Sequence, residues 1–421
     1  MHLTRLRGFQ DLIGPTARAV TSVEDCARAI AERHAIHEMR IPLLERVELY
    51  KRSSGETSDV VEKQMYAFTD QDEAETILAL RPEGTPGVIR AYIEAGLDRS
   101  DPEQRFYYSG PMFRRERPQK GRFRQFHQFG VEIFGRADAA CDAELLIMID
   151  ELRRELRLDL ETQINSLGCV ECRPAFREAL LAYGRAHLAE LCEDCHRRIE
   201  RNPLRLLDCK IDVKIAASAP TSLDYLCEAC RKHFDTVQQL LKECGVPYVV
   251  NPRMVRGLDY YTRTTFEVVS GAVGSQSAVV AGGRYDGLIE ALGGAAIPGT
   301  GFAIGVERLA LALEAKGGVA EAAPDAAVIA LGDAAVIAAA RLAGSMRAQK
   351  LSVEMLSPDR GLKALMRRAS KIGARFAIIL GENELARSVA QVRDLRASTQ
   401  RELALDEVVG AIRAAIASVA R

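Results

Sequence analysis

Apolar positions recur at helical spacing within residues 17–39 (Val20, Val23, Ala27, Ile30, Ala31), which predicts an amphipathic helix. The pattern changes between Gln104 and Phe134. There aromatic and β-branched residues mix with charged ones and Gly and Pro intervene, so FYYSGPMF, FRQFHQFG and VEIFG read as strands around a polar loop. A helix is expected from about Cys141 to Arg157. Strand-like TFEVVSG and SAVVAGG return near 264–283, and a glycine-rich turn region occupies 293–301. GFAIGVERLALALE then reads as a strand running into a buried helix.

Residues 169–244 have a different character. They hold eight of the ten cysteines and are dominated by helical patterns such as AFREALLAYGRAHLAELC, so they read as an insertion between the strands on either side. EAKGGVAEAAPDA, residues 314–326, is small and contains Gly and Pro, as a linker does. Beyond it AVIALG, SVEMLS and FAIILG are short apolar strands separated by helical stretches at about 334–349 and 360–372. AQVRDL and QRELAL are expected as further strands and DEVVGAIRAAIASVA as a closing helix. Strands alternating with helices predict an α/β domain with a mostly parallel core.

Composition narrows the class. The chain has 421 residues, 48% of them apolar and 27% charged, with a net charge of −1. That is a globular chain of two or three domains, and its charge excludes a general nucleic-acid coat while leaving room for a local basic patch. The N-terminal MHLTRLRGFQDLIGP lacks the apolar core of a signal peptide. The greasiest stretch, Ala326 to Gly344, is mostly alanine and is interrupted by Asp333 and Arg341, which argues against a membrane span. Ten cysteines without a secretion signal point to a reducing compartment, and a cytoplasmic protein is expected.

Five segments carry candidate chemistry. Arg114 to Arg124 (RRERPQKGRFR) holds six basic residues and one acidic one between two strand-like runs. Arg114 directly follows the strand end PMF and should emerge at a sheet surface. Gln128 and Glu132 lie four residues apart on the returning strand and so face the same side. Such a strand pair can hold a phosphate and a polar small molecule, while the loop reaches for a nucleic-acid backbone. In LRPEGTPGVIRAYI, Glu83 and Thr85 sit just before a predicted helix. Thr85 there reads equally as a helix cap, and the Glu83 carboxylate could bind a substrate ammonium group. VRGLDYYTRTTFEVV concentrates Arg256, Asp259, Tyr260 and Tyr261 before a strand. The paired glycines of AGGRYDGL permit close backbone approach to a ligand, although turns use the same pair constantly. Finally, Arg308 in GTGFAIGVERLALAL opens an apolar helix and could place a guanidinium over a phosphate.

Together these segments resemble the class II aminoacyl-tRNA synthetases, and within them the histidyl-tRNA synthetase family. FYYSGPMFRRERPQKGRFRQFHQFGVEIFG is similar to the class's motif 2, GTGFAIGVERLALAL to motif 3, and the stretch around IPLLERVELYKRSSGETSDVV to motif 1. RGLDYYTRTTFEV and AGGRYDGL resemble the two histidine-specific signatures. The resemblance covers essentially the whole chain. It implies an α+β catalytic domain over 1–320, built on an antiparallel six- or seven-stranded sheet, with the helical, Cys-rich insertion at about 169–245. It also implies an α/β anticodon-binding domain over 326–421. The implied activity is ATP- and Mg²⁺-dependent activation of L-histidine and its transfer to tRNA(His), by a homodimer formed through motif 1.

The resemblance further implies roles for individual residues. Arg256 and Arg114 would grip the α-phosphate, with Arg308 on the γ-phosphate side and Arg256 foremost in catalysis. Glu83, Gly84, Thr85, Gln128, Glu132, Tyr260 and Tyr261 would bind histidine, Glu132 accepting from the imidazole and Tyr261 donating to it. Arg115, Arg117, Gln119, Lys120 and Arg122 would contact the tRNA acceptor end. A regulatory paralogue of histidine biosynthesis would lack the RGLDYY signature and the C-terminal domain. A pure RNA-binding module would not need Glu83, Gln128 and Glu132 around a pocket, and sister synthetases lack the histidine signatures.

The insertion carries three CxxC pairs, Cys169/Cys172, Cys192/Cys195 and Cys227/Cys230, with Cys209 between the second and third. Each pair can span one edge of a zinc tetrahedron. A structural Zn²⁺ and a set of plain packing thiols are both compatible with the spacing, and the ligand choice stays open.

Overall fold

The structure is a computed structural model that describes residues 3–54, 60–70, 76–255, 260–274, 278–320, 323–356 and 359–417. It divides into two compact units, Met1–Val319 and Ala320–Arg421. In chain order the strands of the first unit begin with β1 (His37–Glu38), β2 (Leu44–Arg46), β3 (Tyr66–Thr69), β4 (Ile77–Leu80) and β5 (Gln104–Phe113). They continue with β6 (Gln125–Phe134), β7 (Glu161–Ser166), β8 (Val249–Val250), β9 (Thr262–Val269), β10 (Ala278–Arg284) and β11 (Gly299–Gly305).

Among the described residues β1-β5-β6-β11-β10-β9-β7-β8 form one sheet in that order. The six inner strands pair antiparallel. The two-residue strands β1 and β8 add parallel edges, too short for a hydrophobic pattern to announce. FRQFHQFG and VEIFG, read separately in the sequence, run together as the single strand β6. A second sheet, β2-β4-β3, begins in the motif 1 region with β2 and is completed by the strands that follow it.

Strand alternation divides the large sheet's two faces. Tyr107 of β5 and Phe129, Val131 and Ile133 of β6 enter the main core. There they meet helix Gly14–Arg33 through Val20, Val23, Ala27 and Ile30, and helix Ala139–Glu155 through Leu145, Leu146 and Ile149. Asp138 caps the second helix by accepting from the Cys141 N–H at 3.1 Å. The opposite face carries Phe106, Tyr108, Met112 and Phe134, which pack with Val88, Ile89 and Tyr92 of helix Thr85–Glu94. That face holds the candidate site.

The insertion contains helices Arg173–Ala186, Glu193–Arg198 and Val213–Ser218, followed by helix Glu228–Glu243. The last of these returns the chain to the main core through Phe234, Val237 and Leu241. In the second unit β12 (Ala326–Ala330), β13 (Val353–Leu356), β14 (Phe376–Leu380), β15 (Val389–Asp394) and β16 (Thr399–Ala404) are ordered β13-β12-β14-β15-β16. β12 pairs parallel with both neighbours, whereas β15 and β16 continue antiparallel. Among the described residues no helix is long and apolar enough to cross a membrane.

Candidate active site

A cavity of about 510 Å³ opens over β6, β9, β10 and β11. Its lining includes Glu83, Thr85, Gln128, Glu132, Tyr260 and Tyr261, as well as Arg114, Arg122 and Arg308. The period-two geometry of β6 aims Gln128 and Glu132 at it, while Phe129 and Val131 point into the core. Segments far apart in sequence therefore converge on one side of one sheet.

Glu132 lies at the floor, 1% exposed. One carboxylate oxygen accepts from the Thr85 hydroxyl at 2.6 Å, and the other accepts from the Tyr285 hydroxyl. Burial pushes the Glu132 carboxyl up to about 8, against the two hydrogen bonds that favour its ionised form. Thr85 thus anchors Glu132 and makes no capping bond on its own helix. Tyr285 is the main residue missed in the sequence. It stands in AGGRYDGL, and the only available signal was its place in a segment already marked for close approach to a ligand. Its neighbour Arg284 is fully buried and pairs with Asp142 at 2.6 Å, while its guanidinium also donates to the Arg136 carbonyl at 2.9 Å. His233 holds the same carboxylate at 2.8 Å. That network fixes the end of β10 and so places Tyr285.

The Tyr260 hydroxyl donates to Glu83 at 3.4 Å, and its ring lies 4.7 Å from that of Tyr261. The buried Oε1 of Gln128 has no hydrogen-bond partner among the described residues. Gly84 contributes space: a Cβ there would lie 2.2 Å from Cε2 of Tyr108, whose ring packs against it. The glycines of AGGRYDGL act similarly. A Cβ on Gly282 would fall 2.3 Å from the Gly301 carbonyl oxygen, so this pair lets neighbouring strands approach.

Three guanidiniums lead the cavity's cationic part. Arg114 donates from Nε to the Pro82 carbonyl at 2.8 Å and lies over the Phe126 ring at 5.4 Å. Arg308 donates to the Gly121 carbonyl at 2.9 Å and the Ala278 carbonyl at 2.8 Å. Burial first, then the nearby Arg122 and Arg114, push its pKa down. A cluster of like charges, with Glu116 ion-paired to Arg122 at 3.1 Å inside it, attracts an anion. Beside Arg308, Glu307 accepts from the His127 N–H at 2.9 Å and contacts His127 Nδ1 at 2.7 Å. The bond raises the His127 pKa and ties the start of helix Val306–Ala315 to β6.

The basic loop separates into two parts. Gln119 and Arg122 pair across a tight turn, with Gly121 at φ +73°. Arg115, Arg117, Gln119 and Lys120 are exposed. Arg122, grouped with them in the sequence, instead turns inward, lines the cavity and pairs with Glu116 at 3.1 Å. Arg256 and Asp259 lie outside the described residues. Two cavity residues come from the insertion, Asp208 and Lys210, and no local pattern in the sequence marked them.

Residues 8–309 match the family model for histidyl-tRNA synthetase, and residues 325–415 match that for the anticodon binding domain. The chain is 47% identical over 409 residues to the histidine–tRNA ligase of Trichlorobacter lovleyi, covering 96% of this chain and 97% of that one. It is 49% identical over 406 residues to the corresponding Geobacter sulfurreducens protein, with coverage of 96% and 97%. The solved structure of apo S. aureus histidyl-tRNA synthetase superposes with a TM-score of 0.81 at 31% identity, covering 98% of this chain and 100% of that one. The Nostoc histidyl-tRNA synthetase shares the fold, with a TM-score of 0.73 at 20% identity over 99% of this chain and 100% of that one.

Proposed function

The chain belongs to the histidyl-tRNA synthetase family, and from that premise we propose how its residues divide the work of ligating histidine to tRNA. The reaction has two steps. The histidine carboxylate attacks the α-phosphorus of ATP and pyrophosphate leaves. A ribose hydroxyl at the tRNA 3′ end then attacks the adenylate carbonyl and AMP leaves. The observation that carries the assignment is the sharing of one cavity by two carboxylates, Glu83 and Glu132, and three guanidiniums, Arg114, Arg122 and Arg308.

The carboxylate end takes histidine. Glu83, steadied by Tyr260, attracts the α-ammonium group, and the Oε1 of Gln128, without a partner among the described residues, accepts from it. Glu132 receives an imidazole N–H as a third donor beside Thr85 and Tyr285, and Tyr261 donates to the other ring nitrogen. A side chain without the ring nitrogens would leave these buried groups unpaired, which is the source of strong discrimination.

The guanidinium end takes ATP. Arg114 and Arg308, both held by backbone carbonyls, present fixed positive charge where phosphoryl charge builds. Arg256 joins Arg114 at the α-phosphate. The wall fits the Mg²⁺ that accompanies ATP, since Glu267 and Glu116 line it with hard carboxylate oxygens. When bound, that ion neutralises charge on the departing pyrophosphate. Arg115, Arg117, Gln119 and Lys120, on the loop's exposed side, meet the acceptor end of tRNA(His).

Residues 1–320 form the catalytic domain and 326–421 recognise the anticodon. The chain works as a homodimer, a reading supported by Leu44, Phe68 and Ile77, apolar side chains left 43%, 47% and 40% exposed on the β2-β4-β3 sheet. Ten unpaired thiols support a cytoplasmic location. The test is ATP–pyrophosphate exchange with each of the twenty amino acids. Exchange with histidine alone is expected, and exchange with none from folded protein would overturn the assignment.

A further inference from the structure

The insertion's cysteines gather into two separate sets. Cys169, Cys172, Cys227 and Cys230 place their Sγ atoms within 4.8 Å of one another, and so do the ligand atoms of Cys192, Cys195, Cys209 and Asp212. The folded chain thus joins the first and third CxxC pairs, and completes the second with a thiol and a carboxylate. None of these cysteines is in a disulfide. The Sγ–Sγ separations of 3.7 Å (Cys169–Cys172), 3.9 Å (Cys169–Cys227) and 3.8 Å (Cys192–Cys209) are tetrahedron edges. Zn–S bonds of about 2.3 Å at tetrahedral angles require edges of about 3.8 Å.

A backbone donor faces one sulfur of each set. The Cys227 N–H donates to Cys172 Sγ at 3.1 Å, and the Asp212 N–H donates to Cys209 Sγ at 3.3 Å. Cys172 and Cys227 each occupy the N-cap of a helix, where peptide dipoles favour negative charge. Asp212 supplies an independent observation. It is 5% exposed, its oxygens accept from the Cys192 N–H at 3.1 Å, and among the described residues no Lys, Arg or His pairs with it. A buried carboxylate among three thiols, without a cationic partner, calls for a cation.

Both sets sit where they could hold the insertion in place. Cys169 follows β7 within three residues, and Cys227 opens helix Glu228–Glu243, which packs into the main core. The first set therefore clamps the two ends of the insertion together. In the second set Cys209 lies between Asp208 and Lys210, the two insertion residues that line the catalytic cavity.

We propose that the insertion holds two zinc ions, one on Cys169, Cys172, Cys227 and Cys230, the other on Cys192, Cys195, Cys209 and Asp212. The second ion fixes the segment that delivers Asp208 and Lys210 to the cavity. The delivery role rests on the site reading above, whereas the metal content does not. Thiolate-rich tetrahedra of this size select zinc over the harder divalent ions.

The test is metal analysis of the full-length protein purified without added metal. Two equivalents of zinc per chain are expected. Cys172→Ser with Cys230→Ser should leave one, and Cys195→Ser with Cys209→Ser should leave the other. X-ray absorption of the two variants should then separate a three-sulfur, one-oxygen site from a four-sulfur site. Less than a tenth of an equivalent in the parent protein, iron in place of zinc, or full zinc in either variant would overturn the sites. In pyrophosphate exchange, loss of the second ion should raise KM for ATP or histidine about tenfold and leave kcat less affected, as misplacement of a positioning segment does. Lys210→Ala should reproduce that change. An unaltered KM in both variants would overturn the delivery role while leaving the zinc result standing.

Discussion

Replacing Glu132 by Gln keeps the side chain's shape and removes its charge, so it tests the cavity floor directly. In the folded protein the Glu132 carboxyl is held at about 8 instead of its ordinary 4.5. A carboxyl raised in this way binds more protons folded than unfolded between those two pH values. Its contribution is therefore unfavourable as pH rises through that window, and it levels off above the folded value. At about 1.4 kcal/mol for each tenfold change in proton affinity, the full effect is at most roughly 5 kcal/mol. Gln cannot ionise and escapes this loss. It does, however, offer the Thr85 and Tyr285 hydroxyls one acceptor where there were two, at a cost of about 1 kcal/mol. Calorimetric melting of the substrate-free protein at pH 5.5, 7 and 9 should show E132Q about equal to the parent at pH 5.5 and increasingly above it at pH 7 and 9. A difference that stays flat with pH would refute the raised carboxyl. Histidine-dependent pyrophosphate exchange should meanwhile fall on the order of 10²-fold or more, because the imidazole loses its charged acceptor. Near-parental exchange would refute the floor's role.

Binding should also move a proton. An imidazole N–H arriving at Glu132 lowers its pKa from about 8, so calorimetric titration with histidine at pH 7 should show an enthalpy that depends on buffer ionisation. Buffer-independent heats would count against that contact. Arg117→Ala and Lys120→Ala, on the exposed part of the loop, should reduce aminoacylation more than adenylate formation, and equal losses in both assays would contradict a tRNA role. Leu44→Glu with Phe68→Glu should shift sedimentation from dimer to monomer, since it charges the exposed face of the β2-β4-β3 sheet; an unchanged dimer would place the interface elsewhere. Arg284→Met strips the buried Asp142 of its guanidinium partner and should destabilise the first unit by about 3–5 kcal/mol. A melting temperature within a degree of the parent's would show that His233 suffices for that carboxylate.

Much of the candidate site's geometry was legible in the sequence because its signals were local. Two-residue alternation placed Gln128 and Glu132 on one side of a strand, and the end of the apolar run PMF placed Arg114 at the sheet surface. The strand–helix alternation after residue 326 announced the second unit. Those readings need only the geometry of a few neighbouring residues. What the tertiary structure decided depends on register and chain path. Thr85 could have capped its helix, but the fold sets it against Glu132, 47 positions away, and brings Tyr285 there from 153 positions away. Arg122 could have faced outward with its loop; the turn at Gly121 sends it into the cavity instead. The cysteine spacing supplied thiol pairs without saying which pairs meet, and nothing local pointed to Asp212 as the fourth member of the second set. Spacing along a chain constrains contacts within a turn or a strand, whereas partners tens of residues apart are chosen by how the whole sheet and its insertion pack.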